Sequence, residues 1–294
     1  MRKQKIRLMT DSCSDISKEY AAELGIHMIY IPITVDGKSY REELDFTKEE
    51  FYRMIDEAQE YPSTAQITPF EIKEAYEQIA GEGCTDLIYT TIGAGGSGTY
   101  ANAEMAREQY YAEHPDAVNR MNIHLVDGRC YTAAYGYAVV EAAKKLRHGA
   151  SVEELTGYLE DWTRHAGLYF VPMTLKYVKR SGRVSAAAAF AGELLGLKPL
   201  CRICNCVSAV IMKIRGEQNI IPRLIEVVKA DMQPHSPYVI MQGSDPELAQ
   251  AFGAALTKEL GYPPDAYWNI GAAICCNAGP RVVGFVIKRK EETV

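Results

Sequence analysis

The sequence contains no run of apolar residues close to the roughly 20 that a membrane-spanning helix requires. Its first residues, Met1–Thr10, include basic side chains but lack the apolar core and cleavage site of a signal peptide, and they predict a strand instead. Positive charge is also scarce, because 32 Lys and Arg stand against 38 Asp and Glu, for a net charge of −6. We therefore expect a cytoplasmic protein with no membrane span and no nucleic-acid partner, since nucleic-acid binding takes clustered positive charge.

Cysteine is too sparse for a disulfide scaffold, with eight residues in 294, and without an export signal we expect reduced thiols. A structural zinc site usually needs four ligands in recognisable pairs. On a strand, Cys204 and Cys206 share one face and Cys201 points to the other, so we favour buried thiols over a zinc site completed by Cys275 and Cys276. The six histidines form no close metal-binding pair and accompany no nucleophile motif. The sequence thus predicts no metal, no cofactor and no hydrolase chemistry.

The length of 294 residues predicts two domains, because a domain usually has roughly 100–200 residues. The first half alternates strands and helices, which predicts an α/β domain with a mainly parallel sheet flanked by helices. The second half predicts an α/β domain with a mixed or antiparallel sheet. We place the boundary at Gly167, with an N-terminal domain of residues 1–167 and a C-terminal domain of residues 168–294 packed against it.

Short local patterns predict where several elements begin and turn. Helix starts are predicted by capping boxes and by a proline in the first turn, at Thr47 with Glu50, Ser151 with Glu154, and Thr68–Pro69. Hairpin turns are predicted at Asp36–Gly37 and near Asn205. Two further polar segments, Pro62–Gln66 and Asn277–Pro280, are interpreted as a capped loop between two helices and as a turn.

The clearest functional pattern is the glycine-rich segment Ile92–Tyr100, between a predicted strand and a predicted helix. Glycines allow a close backbone approach, and a helix N-terminus offers free N–H donors with partial positive charge, so an anion fits there. The alternative is a tight turn in which Ser97 caps the helix. The segment is not a P-loop, because no lysine follows its last glycine, and Val118 stands where a dinucleotide motif needs an acidic residue. NAD and ATP are therefore disfavoured.

Several segments, taken in order, resemble motifs of the DegV family, the fatty-acid-binding proteins that serve bacterial fatty acid kinase. The resemblance covers almost the whole chain, and no single motif is decisive without the others. The matching segments are Thr10–Asp15, Ser63–Gln66, Ser97–Tyr100, Asp127, Leu168–Phe170, Ser181–Ser185, Leu197–Pro199 and Ile214–Gly216.

The resemblance implies a parallel N-terminal domain, also seen in dihydroxyacetone kinase subunits, and a C-terminal α/β domain. It implies that a long-chain fatty acid lies in an apolar tunnel between them, with its carboxylate held by Thr64, Ser97, Gly98 and Asn277. A separate ATP-dependent fatty acid kinase is then the partner that phosphorylates the presented carboxylate, and Arg215 is expected to help dock it. The chain itself is expected to have no catalytic residue.

The sequence also departs from the family pattern at the expected head-group site. Asn277 and Arg281 replace a histidine and a glycine of the family's THTGPG segment, and Ala65 replaces a serine. Asparagine can donate a hydrogen bond but carries neither a charge nor a titrating proton. Two alternatives to fatty-acid presentation stay open, namely a phosphotransfer subunit and a lipid-sensing regulator. The regulator would dock a protein through a basic cluster formed by Lys176, Lys179, Arg180 and Arg183. The alternative interpretation of this cluster is a solvated face without a partner.

Overall fold

The computed structural model describes residues 4–116, 121–184 and 196–290. In the first half the elements are β1 Ile6–Asp11, α1 Lys18–Leu24, β2 Ile26–Ile29, β3 Pro32–Val35, β4 Lys38–Arg41, α2 Lys48–Glu57, β5 Ser63–Thr64, α3 Pro69–Gly81, β6 Asp86–Thr91, α4 Thr99–Glu113, β7 Asn122–Asp127, α5 Ala133–Arg147 and α6 Val152–His165. In the second half they are β8 Ala166–Pro172, α7 Lys176–Ser181, β9 Leu197–Cys204, β10 Val207–Arg215, α8 Ile220–Asp231, β11 Tyr238–Gln242, α9 Pro246–Leu260, β12 Ala266–Asn269, α10 Ala272–Ala278 and β13 Val282–Lys288.

The first half forms a parallel four-stranded sheet in the order β2-β1-β6-β7. Every residue of the central strand β6 is buried, as expected for a parallel strand covered by helices on both faces. The strands β3, β4 and β5 form a separate antiparallel sheet in the order β4-β3-β5. The predicted α/β class with a mainly parallel N-terminal sheet is thus confirmed.

The second half forms a mixed six-stranded sheet in the order β10-β9-β8-β13-β11-β12. Neighbouring strands are antiparallel except β11 and β12, whose pairing is parallel. This confirms the prediction of a mixed or antiparallel C-terminal sheet. The second sheet begins with β8 at Ala166, and the domain boundary at Gly167 stays a prediction.

Local sequence explains why many elements start and stop where they do. Both predicted capping boxes are present, and Thr68 forms a third with Glu71 ahead of Pro69. The hairpin turn at Asp36–Gly37 has positive φ at both residues, as a type I′ turn requires, and so does the turn at Asn205–Cys206. These local predictions are confirmed because each depends on residues only a few positions apart.

Three local interpretations need correction or lie outside the described residues. The segment Pro62–Gln66 is not only a loop, because Ser63–Thr64 pairs with β3 as strand β5. Asn277 lies in the helix α10 rather than in a turn. Ser185 of the family-like segment Ser181–Ser185 lies outside the described residues, as do all of residues 185–195.

A buried hydrophobic core runs across both sheets and positions the second half against the first. It includes Leu8 and Tyr89 from the parallel sheet and Leu168, Phe170 and Met241 from the mixed sheet. A second core packs the helices α8 and α9 on the opposite face of the mixed sheet. The mixed sheet therefore contacts the first half with one face and its own helices with the other.

Candidate functional site

The loop between β6 and α4 is held at the carboxyl edge of the parallel sheet. Ile92 donates its N–H to Oδ2 of Asp11 at 2.7 Å, and Ala94 donates its N–H to Oδ1 of Asp127 at 2.9 Å. Asp11 ends β1 and Asp127 ends β7, the two strands that flank β6. Ligands of open α/β sheets bind at this edge.

Gly98, rather than Ser97, is the N-cap of α4, which corrects the interpretation of Ser97 as the helix cap. Ser97 lies one residue earlier, where its Oγ accepts the N–H of Thr99 at 3.3 Å and lies 3.0 Å from Oγ1 of Thr99. Because glycine provides no capping oxygen, the helix start keeps the partial positive charge that favours an anion.

A cavity lies next to this helix start and extends between the two halves of the chain. It contains about 940 Å³ of space not occupied by atoms, including the part of its mouth that opens to solvent. Its wall is mostly apolar and draws side chains from β8, β9, β11, β13 and α10, among them Leu168, Phe170, Ile203, Met241, Ala273, Ile274 and Val282. A mostly apolar lining with a few polar groups is typical of a small-molecule site.

The four residues predicted to hold a carboxylate, Thr64, Ser97, Gly98 and Asn277, all line this one cavity. Thr64 reaches it from β5, and no described residue hydrogen-bonds its hydroxyl. Asn277 reaches it from α10, where its Nδ2 donates to the carbonyl of Ala273 at 2.8 Å. Three segments that are distant in sequence thus meet at one site.

Four polar residues that are not among the predicted site residues also line the cavity, namely Gln66, Tyr131, Thr132 and Arg183. Arg183, a member of the basic cluster predicted from the sequence, is exposed, and its guanidinium donates to the carbonyl of Ser181 at 2.9 Å. Burial raises the pKa of the Tyr131 hydroxyl, and nearby Arg183 acts in the opposite direction. The cation Arg183 therefore lines the cavity. The sequence signal that could have indicated this position is the family-like segment Ser181–Ser185, to which Arg183 belongs.

The other candidate cations lie away from the cavity lining. Arg215 is the exposed last residue of β10, and Arg281 forms an ion pair with Asp245 at 3.1 Å instead of adding a charge to the site. On the exposed face of α7, Lys176 and Arg180 stack on the ring of Tyr61 at 4.8 and 4.3 Å from its centroid. The docking role of Arg215 stays a prediction.

The cysteines considered as zinc ligands lie in different surroundings. Cys201 is buried in the core, Cys206 lies against the glycine-rich loop at Gly95, and Cys275 is buried in α10. Within the described ranges, the side chains that come close enough to share a metal ion are Glu77, Glu113 and His114, all exposed. Lys73 already forms ion pairs with both of these glutamates. No helix within the described residues combines the length and apolarity needed to cross a bilayer.

Comparison with known proteins places the chain in a family. The family model described as "Uncharacterised protein, DegV family" matches residues 5–290. A DegV domain-containing protein of Caldanaerobacter subterraneus is 30% identical over 290 residues, covering 98% of this chain and 100% of that one.

Solved structures agree with this match. A DegV family protein from Thermus thermophilus, whose structure is described as fatty-acid-binding, superposes with a TM-score of 0.82 at 26% identity, over 96% of this chain and 99% of that one. DegV from Bacillus subtilis, described as a fatty acid binding protein, superposes with a TM-score of 0.81 at 25% identity, over 97% and 99% of the two chains. The chain belongs to the DegV family.

Proposed function

We propose that this protein binds a long-chain fatty acid in the cavity between its two halves and presents the carboxylate, unaltered, to a separate ATP-dependent fatty acid kinase. The observation that carries the proposal is that Thr64, Ser97 and the start of α4 all line one mostly apolar cavity. The relatives from Thermus thermophilus and Bacillus subtilis, both described as fatty-acid-binding, support the same ligand class.

The polar end of the cavity suits a carboxylate. The hydroxyls of Thr64 and Ser97 are donors, and no described residue hydrogen-bonds the Thr64 hydroxyl. The N-terminus of α4 adds partial positive charge at the same cavity. Hydrogen bonds to a charged acceptor are shorter and about twice as strong as neutral ones. Arg183 supplies a full positive charge at the same cavity, which compensates for the absence of charge on Asn277.

The apolar wall supplies the affinity in this proposal. Burying a methylene group contributes about 0.8 kcal/mol, so the contribution grows with acyl length while the head group mainly fixes orientation. The acyl chain would run as in a tunnel along Leu168, Phe170 and Ile203, away from the helix start. We propose that the acyl chain runs along the interface between residues 1–167 and residues 168–294.

The proposed role is binding rather than catalysis. The thiol that lines the cavity belongs to Cys13, and burial raises its pKa well above the ordinary value, which keeps it protonated and a poor nucleophile. The phosphoryl donor would be ATP on the kinase, which we expect to dock near the exposed Arg215. A cytoplasmic location is consistent with eight free cysteines, and a bacterial origin with the bacterial relatives.

The test is the identity of any lipid that purifies with the protein. Protein isolated from a bacterial host is denatured and extracted, and the extract is examined by mass spectrometry. We expect a long-chain fatty acid at up to one molecule per chain, and saturable binding of added palmitate after delipidation. The absence of lipid together with the absence of palmitate binding would contradict the proposal. Hydrolysis of ATP by the isolated chain would instead favour the phosphotransfer subunit.

A further inference from the structure

Two buried carboxyl groups of the N-terminal half converge on one glycine of the C-terminal half. A Cβ at position 271 would lie 2.5 Å from Oε1 of Glu42 and 2.7 Å from Oδ1 of Asp15, so Gly271 leaves room for both oxygens. Glu42 and Asp15 are 1% and 4% exposed, so bulk water does not screen the charges that they carry when ionised. Since φ of Gly271 is −89°, the backbone does not require glycine here, and the carboxyl groups do.

Each carboxyl group binds the start of α10 with one oxygen and the N-terminal half with the other. Asp15 accepts the N–H of Gly271 at 2.8 Å through Oδ1 and the hydroxyl of Thr132 at 2.5 Å through Oδ2. Glu42 accepts the N–H of Ala273 at 2.9 Å through Oε1 and the hydroxyl of Ser12 at 2.6 Å through Oε2. Distant acids therefore cap α10, whose own N-cap residue provides no side-chain oxygen.

Two further side chains of the N-terminal half, Lys48 and Tyr52, also hydrogen-bond to the backbone just before α10. Lys48 donates its Nζ to the carbonyl of Asn269 at 3.0 Å and to that of Asp15 at 2.7 Å. Tyr52 donates its hydroxyl to the carbonyl of Ile270 at 2.6 Å. Backbone positions 269 to 273 are thus fixed on the N-terminal half by side chains rather than by a sheet pairing.

The helix that these bonds fix is a wall of the cavity. Ala273, Ile274, Asn277 and Ala278 of α10 all line it, and Thr64 and Ser97 line it from the N-terminal half. A movement of α10 relative to the N-terminal half would therefore change both the width of the apolar part and the position of Asn277 relative to the two hydroxyls.

We propose that Asp15 and Glu42 are positioning residues for the ligand, which fix α10 and so set the distance between the Asn277 wall and the Thr64–Ser97 end of the cavity. The inference rests on the proposed function, because it concerns how the same cavity binds a fatty acid. It adds a pair of residues that do not line the ligand end themselves and act through the backbone of Gly271 and Ala273.

The charges around the pair make this role depend on pH. Burial raises the pKa of both carboxyl groups well above the ordinary carboxylate range, and for Glu42 the nearby charge of Asp15 acts in the same direction. Lys48 lowers both pKa values but also lies 3.6 Å from Glu43. Glu43 in turn raises the pKa of Asp15. The other titratable groups that face the pair are Cys13, Tyr52, Tyr135, Cys275 and Cys276.

The sign of the effect follows from these shifts. Burial raises the pKa of the facing thiols and phenols as well, so they stay neutral while the carboxyl groups ionise. An acid whose pKa is higher in the folded protein than in the unfolded chain stabilises the fold at low pH, and this contribution is lost as the pH rises through the folded value. As the pH rises, the second negative charge forms beside the first, and repulsion across Gly271 loosens the start of α10.

The experiment measures the affinity for palmitate and the hydrogen exchange of residues 270–278 in the full chain. Glu42→Gln keeps an acceptor for the N–H of Ala273 without the charge, whereas Glu42→Ala removes the acceptor. Between about pH 6 and about pH 9 we expect wild-type affinity to fall on the order of tenfold more than that of Glu42→Gln. Because both proteins bind the same ligand at each pH, the titration of the fatty acid itself cancels in the comparison.

At the lower pH, Glu42→Gln should bind palmitate within about twofold of wild type, while Glu42→Ala binds on the order of tenfold more weakly. Without ligand, only Glu42→Ala should show faster exchange over residues 270–278. Glu108→Gln, an exposed carboxylate on α4, is the matched control and should behave as wild type. Equal pH profiles for wild type and Glu42→Gln, or weaker binding by Glu42→Ala with unchanged exchange, would overturn the inference. A wild type that binds no fatty acid would overturn the proposed function itself.

Discussion

The side-chain oxygen of Gln66 lies directly over the Cα of Gly98, so that a Cβ at position 98 would stand 1.9 Å from Oε1. Gln66 follows the β5 strand that carries Thr64, and Gly98 begins the helix that follows Ser97. The glycine therefore allows two segments, about 30 residues apart in sequence, to close on the same end of the cavity.

Gly98→Ala should weaken palmitate binding on the order of tenfold, because the new methyl group displaces the Gln66 side chain, which lines the cavity. Isothermal titration of the delipidated protein measures this effect. Gln66→Ala in the same chain makes room for the methyl group, so the double variant should regain part of the affinity. Gly157→Ala, an exposed helix glycine with no neighbour near its added Cβ, is the control and should stabilise the fold by about 0.5–1 kcal/mol. Additive effects of Gly98→Ala and Gln66→Ala would contradict a direct contact.

Removing the hydroxyls of Thr64 and Ser97 should weaken the binding of the fatty-acid carboxylate. Thr64→Ala combined with Ser97→Ala should cost about 1.5–3 kcal/mol of binding free energy for each hydrogen bond lost to the charged head group. The fold should lose only about 0.5–1.5 kcal/mol of stability, since no described residue hydrogen-bonds the Thr64 hydroxyl and Ser97 loses its contacts with Thr99. Fluorescence competition with palmitate measures the affinity, and thermal unfolding measures the stability.

Two variants separate a head-group role from a general effect. Thr64→Ser keeps the hydroxyl and should bind within about threefold of wild type. Thr156→Ala removes a hydroxyl that bonds only to its own helix and should leave palmitate binding unchanged. If the double variant binds palmitate as wild type does, the carboxylate lies elsewhere in the cavity, and Arg183 is then the next group to replace.

Arg215 should matter for phosphorylation and not for binding. It is exposed at the end of β10 and does not line the cavity, so Arg215→Ala should bind palmitate with wild-type affinity. In the presence of a bacterial fatty acid kinase and ATP, we expect acyl phosphate formation to fall at least about tenfold, because a buried interface charge is worth several kcal/mol. Arg223→Ala, another exposed arginine, is the control. Equal loss in both variants would point to a general effect of surface charge.

The parts of the fold that the sequence predicts are those encoded by residues close together. Capping boxes such as Thr47 with Glu50 and turns such as Asp36–Gly37 involve neighbouring residues, and the structure has them at the predicted positions. The glycine-rich segment likewise predicts the start of α4 at Thr99. The parallel sheet follows from the alternation of such elements, because a parallel pair needs a crossover between its strands.

The start of α10 escaped prediction for the opposite reason. Its capping oxygens come from Asp15 and Glu42, more than two hundred residues away, so nothing beside Gly271 indicates a helix. Arg183 was assigned to an exposed cluster because only the packed structure brings it to the cavity. Tertiary contacts, and not local propensity, decide both positions.

The affinity for fatty acids should rise with acyl length if the apolar wall supplies the binding energy. Burial of each added methylene group contributes about 0.8 kcal/mol of binding free energy, which is roughly fourfold in affinity. Two more carbons should therefore tighten binding by roughly 15-fold. A series of laurate, myristate and palmitate, measured below their critical micelle concentrations, tests this slope. Phe170→Ala removes a side chain that is 4% exposed and lines the wall, and it should flatten the series without changing the contribution of Thr64. Affinities independent of chain length would place the hydrocarbon tail in solvent and contradict an acyl chain buried between the two sheets.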